Sequence, residues 1–206
     1  MRTLYRRQHR GCMVEVLESD DSRILNFDSH LTQSRMLLAD PLTLALAYTR
    51  CMMAGLLFLP GILLDPPFRV LMIGLGGGSM AKFLLHHFAG CRMDVVEADG
   101  AMPAVARDFF YLPEEPRLTL HVEDGVHFLE REAVAGGRGG YDLILVDAFD
   151  RNGMAQSVYG ERFFARLHAS LTPRGVAAIN LIRSEGALFR GCAEIIAARF
   201  QGRVVG

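Results

Sequence analysis

The chain has 206 residues, half of them hydrophobic, and 22 Lys and Arg residues nearly balance 23 Asp and Glu residues. A chain of this size can bury one substantial core, and a formal net charge of -1 provides no field that would attract nucleic acid or an anionic membrane surface. We therefore expect one main domain and a small-molecule partner, with neither nucleic acid nor a membrane as a partner.

The cysteines and the N-terminus indicate a reduced, cytoplasmic protein. The four cysteines lie far apart, with no CxxC pair and no histidine at metal-ligand spacing, so we expect no bound metal. The basic N-terminus is followed by acidic residues where a signal peptide would need an apolar core. The sequence therefore predicts no export signal.

Residues 1–40 predict a small β-hairpin region. Two strand-like runs, residues 13–17 and 23–27, flank a polar turn cluster of Ser and Asp residues. We expect these two runs to pair as an N-terminal hairpin subdomain.

Residues 41–65 predict a helix that connects the hairpin to the main domain. The helix is expected over residues 41–59, with Asp40 as N-cap and Pro41 at the first helical position. The apolar run from residue 42 to 64 is nearly long enough to span a membrane, but Arg50 and Pro60-Gly61 interrupt it. A buried helix is therefore favoured over a membrane span.

Residues 66–206 alternate short, continuously apolar runs with helical runs, which is typical of a parallel sheet covered on both faces. We predict an α/β, Rossmann-like doubly wound fold with a mostly parallel sheet. The predicted strands are residues 70–73, 93–96, 118–122, 143–146 and 176–181, and the predicted helices are residues 79–88, 102–110, 126–135, 161–171 and 187–200. The sequence stops where a sixth strand would begin, so we expect the last strands of such a sheet to be missing from it.

A glycine-rich turn, Gly74-Leu75-Gly76-Gly77-Gly78-Ser79, follows the first of these strands and leads directly into a helix. Glycines let a backbone approach a ligand closely, and the helix N-terminus offers free N–H groups. Ser79 replaces the third glycine of the dinucleotide fingerprint, whereas Gly74, Gly76 and Gly78 fit a shorter form. This pattern disfavours NAD as the ligand.

Carboxylates follow the next three strands, and ligands of open parallel sheets bind at such strand ends. Glu97 is placed to accept hydrogen bonds from both hydroxyls of a ribose. The alternative is a solvated acid at the strand end. Asp124, followed by Gly125, could accept the amine of adenine or cap the next helix. Asp147 and Asp150 are suited to remove a proton from an ammonium group or to bind that group. The alternative is that they cap local N–H groups.

With these residues in place, the segment from about Arg69 to Leu181 resembles the spermidine synthase family, the polyamine aminopropyltransferases of the class I S-adenosylmethionine-dependent methyltransferase superfamily. The N-terminal segment Leu31-Thr32-Gln33-Ser34 is similar to that family's small β-domain. The resemblance implies a transferase that moves an aminopropyl group from decarboxylated S-adenosylmethionine to an amine such as putrescine and releases methylthioadenosine. It also implies an oligomer, and we expect a homodimer.

Carried over position by position, the resemblance makes Glu97 the ribose ligand, Asp124 the adenine-amine ligand and Asp147 the acid that activates the attacking amine. Asp150 would help hold the acceptor. The remaining cofactor-binding residues implied by the resemblance are Gln33, Gly74, Gly76, Gly77, Gly78 and Gly125.

Three departures from the family pattern keep other functions open. Gly77 stands where the family has an aspartate, so ordinary S-adenosylmethionine is a possible co-substrate as well. Tyr48-Thr49-Arg50 occupies the place of the family's gate motif, and Arg50 would repel a polycation. Residues of the family's fourth-strand motif are replaced by Ala148, Phe149 and Arg151.

The leading hypothesis is therefore an aminopropyltransferase. The second is a small-molecule methyltransferase, in which the helix N-terminus beyond Gly77 accepts the methionine carboxylate. The third is a nucleoside-binding partner protein without catalysis.

Overall fold

The computed structural model describes residues 1–28, 32–61, 66–134, 140–150, 153–154 and 156–206. Leu31, which begins the N-terminal segment named above, and residues 62–65 of the predicted connecting segment lie outside these residues.

The N-terminus forms an antiparallel sheet that is larger than the predicted hairpin. Its described strands, in spatial order, are β1 (Arg2–His9), β2 (Cys12–Glu18), β3 (Ser22–Phe27) and β4 (Thr32–Leu37). The predicted hairpin corresponds to β2 and β3. The sequence does not reveal β1, because the arginines of this strand leave no apolar alternation. It does not reveal β4, because Ser34 takes one of the two buried positions of that strand.

The connecting helix is shorter than predicted, and the N-cap assignment at Asp40 is wrong. The described helix α1 spans Ala47–Met53 and continues as a 3-10 helix over Ala54–Phe58. The Asp40 carboxylate accepts the Leu42 N–H and the Thr43 hydroxyl, so it stabilises a turn instead of starting a helix. Among the described residues, no helix combines the length and the apolar character needed to cross a bilayer.

The main domain confirms the predicted doubly wound α/β fold. In chain order its elements are β5 (Phe68–Ile73), α2 (Ser79–His87), β6 (Cys91–Glu97), α3 (Met102–Phe110), β7 (Leu118–Val122), α4 (Gly125–Val134), β8 (Tyr141–Val146), β9 (Phe149–Asp150), β10 (Gly153–Met154), α5 (Glu161–Ser170), β11 (Leu171–Ile179) and α6 (Ala187–Arg199). Within the described residues, five strands form the parallel sheet in the order β11-β8-β5-β6-β7. Residues 203–206, after α6, form no strand.

Two apolar layers enclose this sheet, because its central strands have side chains buried on both faces. Val70 and Met72 of β5 pack on one face with residues of α2, whereas Leu71 and Ile73 pack on the other face with residues of α4 and α5. A third cluster joins the N-terminal sheet to α3 through Met36 and other buried side chains. The N-terminal sheet is thereby held beside the carboxyl end of β6, since α3 follows that strand.

The strand order reverses between β5 and β8. The chain runs from β5 outward through β6 and β7, and it then returns to the other side of β5 with β8 and β11. Connections on the two sides of this point diverge and leave a crevice beyond the carboxyl ends of the strands. The candidate site lies in this crevice.

Candidate functional site

A cavity of about 430 Å³ lies beyond the carboxyl ends of β5, β6, β7 and β8. One side is formed by residues that the sequence analysis selected, namely Gly74, Gly76, Glu97, Asp124, Gly125 and Asp147. The other side comes from the N-terminal sheet and includes Gln33, His9, Arg10, Cys12, Val14 and Phe27. The volume is within the range of about 300 to 1,000 Å³ that small-molecule sites usually have.

Gly74 brings the ends of three strands together at the start of the glycine-rich turn. Its φ is +93°, and a Cβ at this position would lie only 2.1 Å from the carbonyl oxygen of Asp147. Its N–H donates to the carbonyl of Val96 at 2.8 Å. Only glycine combines this backbone conformation with such a close approach, so the turn depends on Gly74 for its shape.

Gly77 and Gly78, also predicted to bind the cofactor, are not among the residues that line the cavity. Gly78 has φ +72° and is the N-cap residue of α2. Gly77 faces the N-terminal sheet, where its N–H donates to Ser34 Oγ at 2.8 Å. A Cβ on Gly77 would approach Ser34 and the Phe110 ring to 3.0 and 3.1 Å. These two glycines shape the turn, and their contact with a ligand stays a prediction.

Glu97 is an oriented carboxylate at the end of β6. Its Oε2 accepts the Leu75 N–H at 2.9 Å, and its Oε1 accepts the Asp99 N–H at 2.8 Å. Burial raises the pKa of Glu97, while these backbone N–H donors stabilise the charged form and oppose that shift. The position on the cavity wall suits a ribose, and the hydrogen bonds hold the carboxylate in place without any ligand.

The structure shows one of the two roles that the sequence left open for Asp124. Its Oδ1 accepts the Val126 N–H at 2.8 Å, so it caps the start of α4. Its Oδ2 accepts the Ser157 hydroxyl at 3.1 Å, and both residues line the cavity. The capping role is therefore observed, and the contact with adenine stays a prediction.

Asp147 is a partly buried carboxylate directly after β8. Its Oδ1 accepts a hydrogen bond from Asn180 Nδ2 at 2.9 Å, and its Oδ2 accepts one from the Tyr48 hydroxyl at 3.0 Å. Burial raises the pKa of Asp147, and the two hydrogen bonds partly oppose this shift. Among the described residues no cation pairs with Asp147. A partly buried carboxylate without a cationic partner is suited to accept a proton or to bind an ammonium group.

Asp150, the second acid predicted after this strand, has its backbone in β9, where it pairs with Gly153 of β10. Its side chain lies outside the described part of the structure. The role of Asp150 in holding an acceptor stays a prediction.

The two residues that orient Asp147 received no role from the sequence. Asn180 directly follows β11, so its place at a strand end was the signal that could have identified it. Tyr48 lies on α1, far from any strand end, and it was named only as part of the segment in the place of the family's gate motif. The expected repulsion by Arg50 is not supported, because its guanidinium donates to the carbonyls of Leu44 and Ala45 and does not line the cavity.

The cavity is acidic. Its described lining includes five acidic residues, Glu97, Asp99, Glu123, Asp124 and Asp147, of which Glu123 is paired with Arg131. Arg10, at the turn between β1 and β2, also lines it and donates to the carbonyl of Ala98. A cavity lined mainly by negative charge favours a cationic ligand.

The relatives of this chain include polyamine aminopropyltransferases and methyltransferases. The family model described as "Spermine/spermidine synthase domain" matches residues 48–181. A polyamine aminopropyltransferase of Chromobacterium violaceum is 36% identical over 193 residues, which cover 93% of this chain and 70% of that protein. The human eEF1A lysine and N-terminal methyltransferase is 34% identical over 144 residues, which cover 65% of this chain but only 20% of that protein.

Solved structures confirm a class I methyltransferase-like fold. Human Methyltransferase-like protein 13 in complex with SAH has a TM-score of 0.69 and 31% identity, covering 75% of this chain and 73% of that one. Spermidine synthase from Thermotoga maritima has a TM-score of 0.70 and 18% identity, covering 96% of this chain and 64% of that one. At 18% identity the second likeness concerns the fold alone, and the chain spans less than two thirds of that enzyme.

Proposed function

The chain belongs to the spermine/spermidine synthase domain family, and we propose that it transfers an aminopropyl group from decarboxylated S-adenosylmethionine to an amine such as putrescine. The observation that carries the proposal is the partly buried Asp147, oriented by Tyr48 and Asn180 in the same cavity as Glu97. The two carboxylates that the proposal assigns to the nucleoside and to the amine line one acidic cavity.

In this proposal the nucleoside lies between Glu97 and Asp124, and the sulfonium lies near the glycine-rich turn. The acceptor amine attacks the carbon beside the sulfur, so a C–N bond forms while the C–S bond breaks. The bonding electrons stay on sulfur, and methylthioadenosine leaves as a neutral thioether. Asp147 accepts the proton that the amine loses, and its burial favours the protonated form that results. Positioning of the two substrates supplies the rest of the rate enhancement.

A second candidate function is methyl transfer from S-adenosylmethionine to an amine. Two observations favour it: the side-chain position at Gly77 carries no carboxylate that would select a decarboxylated donor, and one group of relatives is named for lysine and N-terminal methylation. Asp147 would have the same role here, because the acceptor is again an amine that loses a proton.

Incubation of the protein with each donor and a panel of amines, followed by mass spectrometry of the products, tests the proposal. The proposal expects methylthioadenosine and an aminopropylated amine, with turnover reduced about 100-fold or more in Asp147→Asn. Formation of S-adenosylhomocysteine and a methylated amine would instead support the second candidate. Binding of the donors without either product would leave a nucleoside-binding protein without catalysis.

The homodimer and the cytoplasmic location expected from the sequence stay predictions. Light scattering coupled to size-exclusion chromatography measures the first, and fractionation of expressing cells measures the second.

A further inference from the structure

Ser34 connects the N-terminal sheet to the glycine-rich turn. It lies on β4, and only 7% of the residue is exposed. Its Oγ accepts the Gly77 N–H at 2.8 Å, and a Cβ on Gly76 would lie 2.9 Å from the same oxygen. The hydroxyl is therefore packed against two consecutive residues of the turn.

The Gly77 N–H is the kind of group that binds a carboxylate. It belongs to the residue before the N-cap of α2, where backbone N–H groups and the helix dipole favour negative charge. The carboxylate of an amino-acid tail would otherwise find a donor here. In this chain Ser34 Oγ already accepts the hydrogen bond of that N–H, so the amide has a hydrogen-bond partner without a ligand.

Ser34 also lies between the cavity and the start of α2. Its neighbours Gln33 and Gly76 line the 430 Å³ cavity. Ser34 itself, together with Asp147 and Ser79, lines a separate space of about 10 Å³. That space accommodates no more than about one water molecule. The carboxylate of a donor tail could reach the Gly77 amide only if the Ser34 hydroxyl were displaced.

We propose that Ser34 determines the donor preference of this site. Its hydroxyl accepts the hydrogen bond of the Gly77 N–H and occupies the place that a carboxylate oxygen would need, which excludes the carboxylate of S-adenosylmethionine and favours the decarboxylated donor. This inference rests on the proposed function, because it requires a sulfonium donor to bind in the cavity with its tail toward the glycine-rich turn.

Calorimetric titration of wild type and Ser34→Ala with methylthioadenosine, S-adenosylmethionine and its decarboxylated form tests the inference. Removal of the hydroxyl frees the Gly77 N–H and leaves room for one carboxylate oxygen. The affinity for S-adenosylmethionine should then increase about tenfold relative to that for methylthioadenosine, which has no amino-acid tail. The affinity for the decarboxylated donor should not increase.

Ser22→Ala is the matched control, because Ser22 is also a buried serine of the N-terminal sheet and its hydroxyl bonds to Asp21. It should leave the ratio of affinities unchanged. Ser34→Gly removes the same hydroxyl, so it should shift the ratio in the same direction. This variant provides the test if circular dichroism shows that Ser34→Ala does not fold.

An unchanged or lowered ratio in a folded Ser34 variant that still binds methylthioadenosine would overturn the inference and leave the proposed function intact. Failure of the wild-type protein to bind methylthioadenosine would overturn the proposed function, and this inference with it.

Discussion

The Tyr48 hydroxyl donates a hydrogen bond to Asp147 Oδ2 at 3.0 Å and so connects α1 to the end of β8. Asn180 donates to the other carboxylate oxygen from the end of β11. Each donor favours the charged carboxylate, whereas burial disfavours it. The proton affinity of Asp147 therefore depends on two residues that lie far from it in the chain.

Replacement of Tyr48 by Phe should move the acidic limb of the pH profile of kcat/KM to higher pH. The hydrogen bond from Tyr48 lowers the pKa of Asp147, so its loss raises that pKa, and the deprotonated base appears only at higher pH. Activity should fall most on the acidic side and recover as the pH rises. Tyr111→Phe, at an exposed tyrosine outside the cavity, is the control. A uniform loss of activity at every pH would contradict this explanation.

Glu97→Gln should weaken the binding of methylthioadenosine about 10- to 100-fold, as measured by calorimetry. The amide keeps the shape of the side chain but loses the charge, and it presents an NH2 group to one of the N–H donors of Leu75 and Asp99. Glu114→Gln, at an exposed carboxylate paired with Arg107, should leave the affinity unchanged. Equal affinities of wild type and Glu97→Gln would remove Glu97 from the proposed site.

Lys82 should make the free energy of unfolding depend on pH in the alkaline range. It is the only lysine in the chain, it is 3% exposed, and its Nζ donates to the carbonyls of Pro41 and Phe110. Burial lowers the pKa of Lys82 from 10.5 to about 8.

Between about pH 8 and 10.5 the unfolded chain therefore binds a proton at Lys82 that the folded protein does not, so stability rises with pH across this window. The expected gain is on the order of 3 kcal/mol, and it is absent below pH 8, where both states are protonated. Urea unfolding of wild type and Lys82→Met at several pH values measures it. Identical slopes for the two proteins would show that Lys82 does not titrate in this way.

Gly74→Ala should destabilise the protein by about 3 kcal/mol or more. The new Cβ would be strained by the positive φ and would meet the Asp147 carbonyl oxygen at 2.1 Å. Gly191→Ala is the matched control, because Gly191 lies within α6 with open space around it. That change should stabilise the helix by up to about 1 kcal/mol. Thermal denaturation of both variants should give shifts of opposite sign.

Much of the site could be predicted because it depends on residues that lie close together in the sequence. Glu97, Asp124 and Asp147 each follow a continuously apolar strand, and parallel strands bring such positions to one edge of the sheet. The start of α1 was predicted wrongly because Asp40 and Pro41 fit a helix N-terminus as well as they fit the turn that they form.

By itself the sequence determined the alternation of strands and helices, the glycine-rich turn and the acids at the strand ends, because each of these depends on residues close together in the chain. Only the tertiary structure decided the order of the strands, the hydrogen bonds of Tyr48 and Asn180 to Asp147, and the contact of Ser34 with Gly77. The physical reason is that an apolar pattern reports whether a residue is buried, whereas its partner is chosen by the packing of elements that lie far apart in the chain.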